Sequence, residues 1–181
     1  MRKFFAVFVL GVILNSACVF AQTSFLPGGN PNFKGKDLYV GAHLGLGGGF
    51  YGGLGPVVNV EYGILSNLGI TGSVGFFGYS YQPAATYTWT YTQIPIIVGA
   101  NYHFDLLKVK QLDTWVGVGF GYVVASWTST DAAFNTFSSG SYFTWDGRLG
   151  ARYYFSDKLA AKVELGYWAL GYLRVGVDFK L

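Results

Sequence analysis

The sequence predicts an all-β fold: an eight-stranded, antiparallel, up-and-down transmembrane β-barrel. Three observations carry that prediction. The final stretch, residues 173–181, alternates without a break, with Leu173, Val175, Val177, Phe179 and Leu181 on one face and Arg174, Gly176, Asp178 and Lys180 on the other. That is the period of a strand with one apolar and one polar side. The chain is 51% hydrophobic and 19% aromatic but only 12% charged, against roughly 25% charge in soluble domains. Past the leader, no apolar run approaches the roughly 18 residues of a spanning helix. Composition is where a membrane barrel announces itself, because each of its strands is individually a weak signal.

The chain opens on a basic start, Arg2 and Lys3, followed by an apolar stretch from Phe4 to Leu14 and by Val19-Phe20-Ala21 before Gln22. This has the layout of a secretory signal peptide over 1–21, removed in the mature protein. Lipoprotein processing at Cys18 is the alternative, with Asn15 standing where such sites carry a branched apolar residue. Cleavage after Ala21 removes the sole cysteine, and with it all disulfide chemistry. Residues 22–37 are expected to be an N-terminal periplasmic segment, and 38–181 the barrel.

Eight alternating segments follow. The first, near 38–46, sets Leu38, Val40, Ala42, Leu44 and Leu46 against Tyr39, Gly41, His43 and Gly45. After the glycine-rich stretch 47–56, the second sets Val58, Val60, Tyr62 and Ile64 against Asn59, Glu61 and Gly63. Residues 66–69 form a turn by composition. The third covers about 70–81 and the fourth about 87–104, where Pro95 suggests a bulge because proline cannot donate to a ladder. The fifth, about 115–127, alternates Val116, Val118, Phe120, Tyr122 and Val124 with Gly117, Gly119 and Gly121. A polar loop spans 128–140. The sixth, about 142–155, sets Phe143, Trp145, Leu149, Ala151, Tyr153 and Phe155 against Asp146, Arg148, Gly150 and Arg152. The seventh sets Ala161, Val163, Leu165 and Tyr167 against Lys162, Glu164 and Gly166, and the strand at 173–181 closes the ring. With the N-terminus in the periplasm, the turns at 66–69, 105–112 and 156–158 face that side. The loops at 47–56, 82–86 and 128–140 face outward, with a short last loop near 169–171.

Every charge inside these strands falls on the polar side: Glu61, Asp146, Arg148, Arg152, Lys162, Glu164, Arg174, Asp178 and Lys180. A soluble barrel would turn its charges to water and line a cavity with apolar residues. The apolar side instead ends in aromatics, with Tyr62, Tyr102, Tyr153 and Phe179 toward one rim and Tyr122, Trp145 and Tyr167 toward the other, as two interfacial girdles would require. The charged side is therefore read as a lumen, filled by a paired polar network. Eight strands leave an interior that side chains fill, so open ionic conduction is not expected. Losing Arg2 and Lys3 with the leader brings 12 basic and 9 acidic residues close to balance, which argues against a nucleic-acid partner.

The leader, the two-faced strands and the outward Phe179 near the C-terminus resemble the small, eight-stranded outer-membrane β-barrel family of Gram-negative bacteria. The resemblance implies localisation in the cell outer membrane after export through the periplasm. Its implied partners are outer-membrane lipid and the barrel-assembly machinery. The ending Phe179-Lys180-Leu181 departs from the aromatic terminus usual in that family. Lipid A-modifying enzymes of similar shape need a histidine with a nearby serine and an acid. His43 is followed by Leu44-Gly45 and His103 by Phe104-Asp105, so catalysis is not expected. Two histidines without a cysteine make a weak metal site, and no cofactor is expected.

The strongest functional lead is the third hairpin, carrying Phe77, Tyr79 and Tyr81, then Tyr87, Trp89 and Tyr91. A short loop would pair Tyr81 with Tyr87, Tyr79 with Trp89 and Phe77 with Tyr91, a cross-strand aromatic ladder that stabilises a projecting hairpin. Tyr79, Tyr81, Tyr87, Trp89 and Tyr91 are then a candidate outer recognition face for an extracellular ligand or surface partner. The competing reading puts those rings in the barrel mouth or a girdle. The expected role is structural or surface-interacting. Passage of small apolar molecules is second, hinted at by Phe77 and Ile97, and a lipid-modifying barrel enzyme is third.

Overall fold

A computed structural model describes residues 32–48, 53–84, 87–105, 107–130, 138–167 and 169–181. The leader over 1–21 and Cys18 lie outside the described residues. Ten strand segments form one sheet, all with antiparallel pairing. They are β1 (Leu38–Gly48), β2 (Gly53–Gly63), β3 (Leu68–Gly75), β4 (Phe77–Ala84), β5 (Tyr87–Phe104), β6 (Leu112–Ser129), β7 (Ser138–Ser139), β8 (Tyr142–Tyr154), β9 (Leu159–Gly166) and β10 (Leu173–Lys180). Neighbours in sequence pair, except that β3 and β4 both pair with β5 and β7 and β8 both pair with β6, and β10 returns to β1 from Tyr39↔Lys180 to Leu46↔Leu173. Among the described residues there is no helix.

The ten segments make eight strands. β3 and β4 keep one register against β5, from Val74↔Ile96 to Phe77↔Gln93, and only Phe76 separates them. β7 and β8 likewise share a register against β6, with Ser126↔Ser139 and Val123↔Tyr142. The first break lies beside Pro95. Proline has no N–H, and the ladder from β5 to β3 and β4 lapses there, while Pro95↔Val123 holds on the β6 side. The Phe76 N–H donates instead to the Pro56 carbonyl of β2 at 2.9 Å. The bulge expected at Pro95 is therefore absent, and the inside–outside parity of β5 carries through it.

Two loops are shorter than the sequence suggested. β2 begins at Gly53, inside the glycine-rich stretch. β6 runs on to Ser129, and Ser138–Ser139 pair back onto it. The wall is consequently uneven. β5 and β6 each have 18 residues, whereas β9 and β10 have 8. β4, the first half of β5, the last half of β6 and the start of β8 rise above the remaining rim as a flap. The opposite end holds Asn32, where the described residues begin, and Leu181.

Between flap and termini the outer surface is a continuous apolar belt. Phe120 is 69% exposed, Val98 63% and Leu165 59%, with Val118, Ile70 and Val175 among them. Water is a poor solvent for such a patch. A bilayer suits it, and a closed ring leaves no strand edge for lipid to solvate. Tyr62, Tyr153 and Phe179 stand exposed toward the terminal end. At the other margin Trp145 and Tyr167 stack at 5.0 Å, and Tyr122 meets Phe143 edge-on at 5.1 Å.

Candidate functional site

The lumen is filled in layers. At the terminal end Phe33, Tyr39, Tyr154 and Ala160 form a buried cap. The Tyr154 hydroxyl donates to the Tyr39 oxygen at 2.9 Å, and Phe33 stacks flat on the His103 ring at 3.5 Å. Phe33 precedes β1, so the segment before the barrel folds back into its mouth.

Above the cap lies the charged layer, and there Glu61, Asp146, Arg148, Arg152, Lys162, Glu164, Arg174 and Asp178 all come together in the lumen, each buried. Strand parity aims them inward, and closure of β10 on β1 brings Asp178 beside Glu61. Arg152 is the hub. Its guanidinium donates to Glu61 at 2.7 Å, Asp113 at 3.0 Å and Asp178 at 2.7 Å, and lies 4.1 Å over the Tyr39 ring. From Asp178 the contacts pass to Lys162 at 3.8 Å, then Glu164 at 3.5 Å, then Arg174 at 3.5 Å. Arg174 reaches Asp146 at 3.3 Å, Asp146 accepts from Arg148 at 2.9 Å, and Arg148 donates to Asn101 at 2.7 Å. Asn101 donates to Glu61 at 2.7 Å and closes the circuit.

Both histidines face this layer. His103 lies 2.9 Å from Asp113 through Nδ1 and 3.0 Å from Glu61 through Nε2. Carboxylate oxygens only accept, so the ring donates at both nitrogens and serves as a cation. Glu61, Asp113, Asp146, Glu164 and Asp178 are then matched by Arg148, Arg152, Lys162, Arg174 and His103. His43 contacts Asp178 at 2.7 Å through Nε2. Both rings hydrogen-bond to carboxylates. Lys180, expected among the lumen charges, sits instead at the terminal rim, 2.6 Å from Asp37; it is the last residue of β10, where a long side chain reaches water.

Room for the larger side chains comes from glycine. A Cβ on Gly150 would lie 2.2 Å from the Trp115 ring, and one on Gly117 would lie 2.8 Å from Arg148 Nε. Trp115 packs inside and donates to Glu164 at 3.2 Å.

Above the charges the lumen turns apolar. Val57, Phe77, Ile97, Val123, Ala169 and Leu170 form a plug, with Ala125 and Tyr142 against it. Leu170 is fully buried. It belongs to the last loop, expected simply to face outward; Gly171, at φ +106°, takes a left-handed conformation that suits glycine as this loop tucks into the mouth.

The flap stands over the plug, and along it the polarity of the wall inverts. Below it the outer face is apolar, and the inner face passes from the plug to the charged layer. On the flap the outward positions are Gly78, Ser80, Thr88, Thr90, Thr92, Ser126 and Thr128, while the inward ones include Tyr79, Tyr81, Trp89, Tyr91, Gln93 and Trp127. The expected aromatic ladder is offset by two residues. Tyr81 pairs with Trp89, Tyr79 with Tyr91 and Phe77 with Gln93, because the register continues from the β3–β5 ladder and is not set by the turn. Phe77 therefore belongs to the plug and not to the hairpin face. The side chain of Tyr87 lies outside the described residues. Trp89 packs at 4.9 Å on Trp127 of β6. Together with Tyr91, Gln93, Ala125, Ser126, Gly140 and Tyr142 they line a cavity of about 360 Å³.

No family model matches the sequence, and no curated protein does. Solved structures do. The outer-membrane protein OprG of Pseudomonas aeruginosa superposes with a TM-score of 0.59 at 10% identity, covering 82% of this chain and 97% of its own. Ail, the attachment invasion locus protein of Yersinia pestis, gives 0.50 at 13%, covering 82% and 96%. The chain has the fold of the small, eight-stranded outer-membrane β-barrels. A de novo designed transmembrane β-barrel matches as well, at 0.52 and 19% identity, covering 82% and 98%. The barrel alone names no role, which has to be argued from what this lumen and flap hold.

Sequence reasoning missed Asp113, Phe33, Leu170 and Trp127 as members of these layers. Asp113 and Trp127 share the parity of Trp115 and could have been placed by it. Phe33 and Leu170 lie outside strands, where alternation is silent.

Proposed function

We propose that this chain resides in the outer membrane of a Gram-negative envelope, exported through the periplasm, as a closed, non-enzymatic barrel that recognises a ligand or surface through its flap. The termini face the periplasm and the flap faces outward. The observation that carries this reading is the inversion of polarity along β5 and β6. A wall segment with Thr and Ser outside and aromatic rings inside is unsuited to lipid and suited to water with a sheltered contact surface. The name of Ail, an attachment protein, supports the same class of role. Outer-membrane lipid and the barrel-assembly machinery complete the set of partners.

Passage of small apolar molecules is the second reading, favoured by the plug of Phe77, Ile97 and Leu170 beneath the cavity. The charged circuit below opposes an axial route for such a molecule.

The test compares cells displaying the wild-type barrel with cells displaying a variant in which Tyr81, Trp89 and Trp127 are all serine, on plates coated with polysaccharide or matrix protein. The variant should keep the heat-dependent gel mobility of a folded barrel and lose the adhesion that the wild type adds. Unchanged adhesion by a folded variant, or no gain from the wild type on any coating, would overturn the proposal.

A further inference from the structure

The cavity lined by Trp89 and Trp127 narrows the chemistry of what the flap takes. Its volume, about 360 Å³, falls within the roughly 300–1,000 Å³ of small-molecule sites. Its floor is closed by Ala125 and Tyr142 resting on the plug. One wall is a pair of indoles, Trp89 and Trp127, packed on each other at 4.9 Å and tilted by 31°, with Tyr91 beside them. A polar group stands among the rings: Gln93, only 8% exposed.

No charged residue among those described lines the cavity. Among the described residues the whole flap end is without charge, and the rim charges, from Lys34 and Asp37 to Lys158 and Lys180, all stand at the terminal end. An ionised ligand would lose hydration here with no counter-charge in return. A purely apolar ligand would meet the Gln93 amide with no hydrogen-bonding group of its own. A ring with C–H faces and hydroxyl edges meets both parts of the wall, the faces against indole and the edges against Gln93.

We propose that this cavity binds an uncharged sugar residue, stacked against Trp89 and Trp127 and oriented by Gln93. The inference rests on the recognition role proposed above and names its ligand class.

The experiment uses the folded barrel in lipid nanodiscs, titrated by calorimetry with four probes. Maltotriose and N,N′,N″-triacetylchitotriose are neutral saccharides, sulfated maltotriose is their anionic counterpart, and naphthalene is the apolar competitor. At least one neutral saccharide should bind saturably. Trp127→Ala and Gln93→Leu should each weaken that binding about tenfold, and Trp145→Phe, on the lipid side, should leave it unchanged. Trp127→Phe, which keeps a ring, should recover most of the affinity and replaces the alanine variant if that one fails to fold. Tighter binding of the sulfated probe, saturable binding of naphthalene alone, or no binding of any probe would each overturn the inference. Loss of adhesion in the serine variant without saccharide binding would sink the ligand class and leave the recognition role standing; failure of both assays would remove both.

Discussion

Replacing Arg152 with methionine removes the hub of the lumen while keeping a side chain of similar length. Arg152 is fully buried and is shared by Glu61, Asp113 and Asp178 at 2.7–3.0 Å. Its loss leaves three carboxylates with only His103 and Lys162 as nearby cations. Removing one partner of a buried ion pair costs about 3–5 kcal/mol, because the remaining charge stays desolvated and uncompensated. Here the loss of the contact with the Tyr39 ring adds to it. The figure for Arg152→Met is therefore placed at the upper end, about 5 kcal/mol. Arg152→Lys keeps the charge but not the three-way fork, so its cost should fall well below that of methionine. Equilibrium urea unfolding in detergent micelles, followed by tryptophan fluorescence, measures both. A second arm adds Glu61→Gln to Arg152→Met. Neutralising a partner of the missing cation should recover about 0.5–3 kcal/mol relative to additivity. A methionine variant within about 1 kcal/mol of the wild type, or strictly additive behaviour of the pair, would refute the idea that this circuit acts as the barrel's core.

Two further outcomes follow from the same layers. Val163→Arg places a cation in the apolar belt, where Val163 is 43% exposed; it should cost about 2–4 kcal/mol in the same titration if the belt lies near mid-bilayer, and a neutral effect would mean the belt is not in lipid. The plug and the paired charges leave no open axial path, so planar-bilayer recordings should show no large steady conductance, and a stable channel of porin size would contradict the filled lumen.

Strand number, parity and the inward set of charges were legible in the sequence because period-2 alternation fixes facing whatever the register. Glu61 and Asp178 could be assigned to the lumen from parity, but their meeting through Arg152 depends on how β10 closes on β1, which alternation does not encode. Register failed in the same way at the flap. The pairing of Tyr81 with Trp89, not Tyr87, follows from the ladder between β3 and β5, tens of residues from the turn. Pro95 was read as a bulge because proline lacks a donor, yet its missing N–H falls where the β3–β4 strand is interrupted at Phe76, and the chain keeps its parity. Leu170 and Phe33 were invisible to periodicity, since each sits in an irregular segment that folds into a barrel mouth. The cavity at Trp89 and Trp127 joins residues of two long strands, and only the shared parity of those two rings hinted at it.

The central claim is that the wall changes solvent along its own strands, from lipid around the belt to water around the flap. Single nitroxide labels read this directly through their collisions with oxygen, which concentrates in lipid, and with a water-soluble nickel chelate. Labels at Val98, Phe120 and Val163 should favour oxygen, and labels at Ser80, Thr90 and Thr128, on the same outward parity, should favour nickel. Oxygen-dominated signals at Thr90 and Thr128 would put the flap in the bilayer and contradict the account.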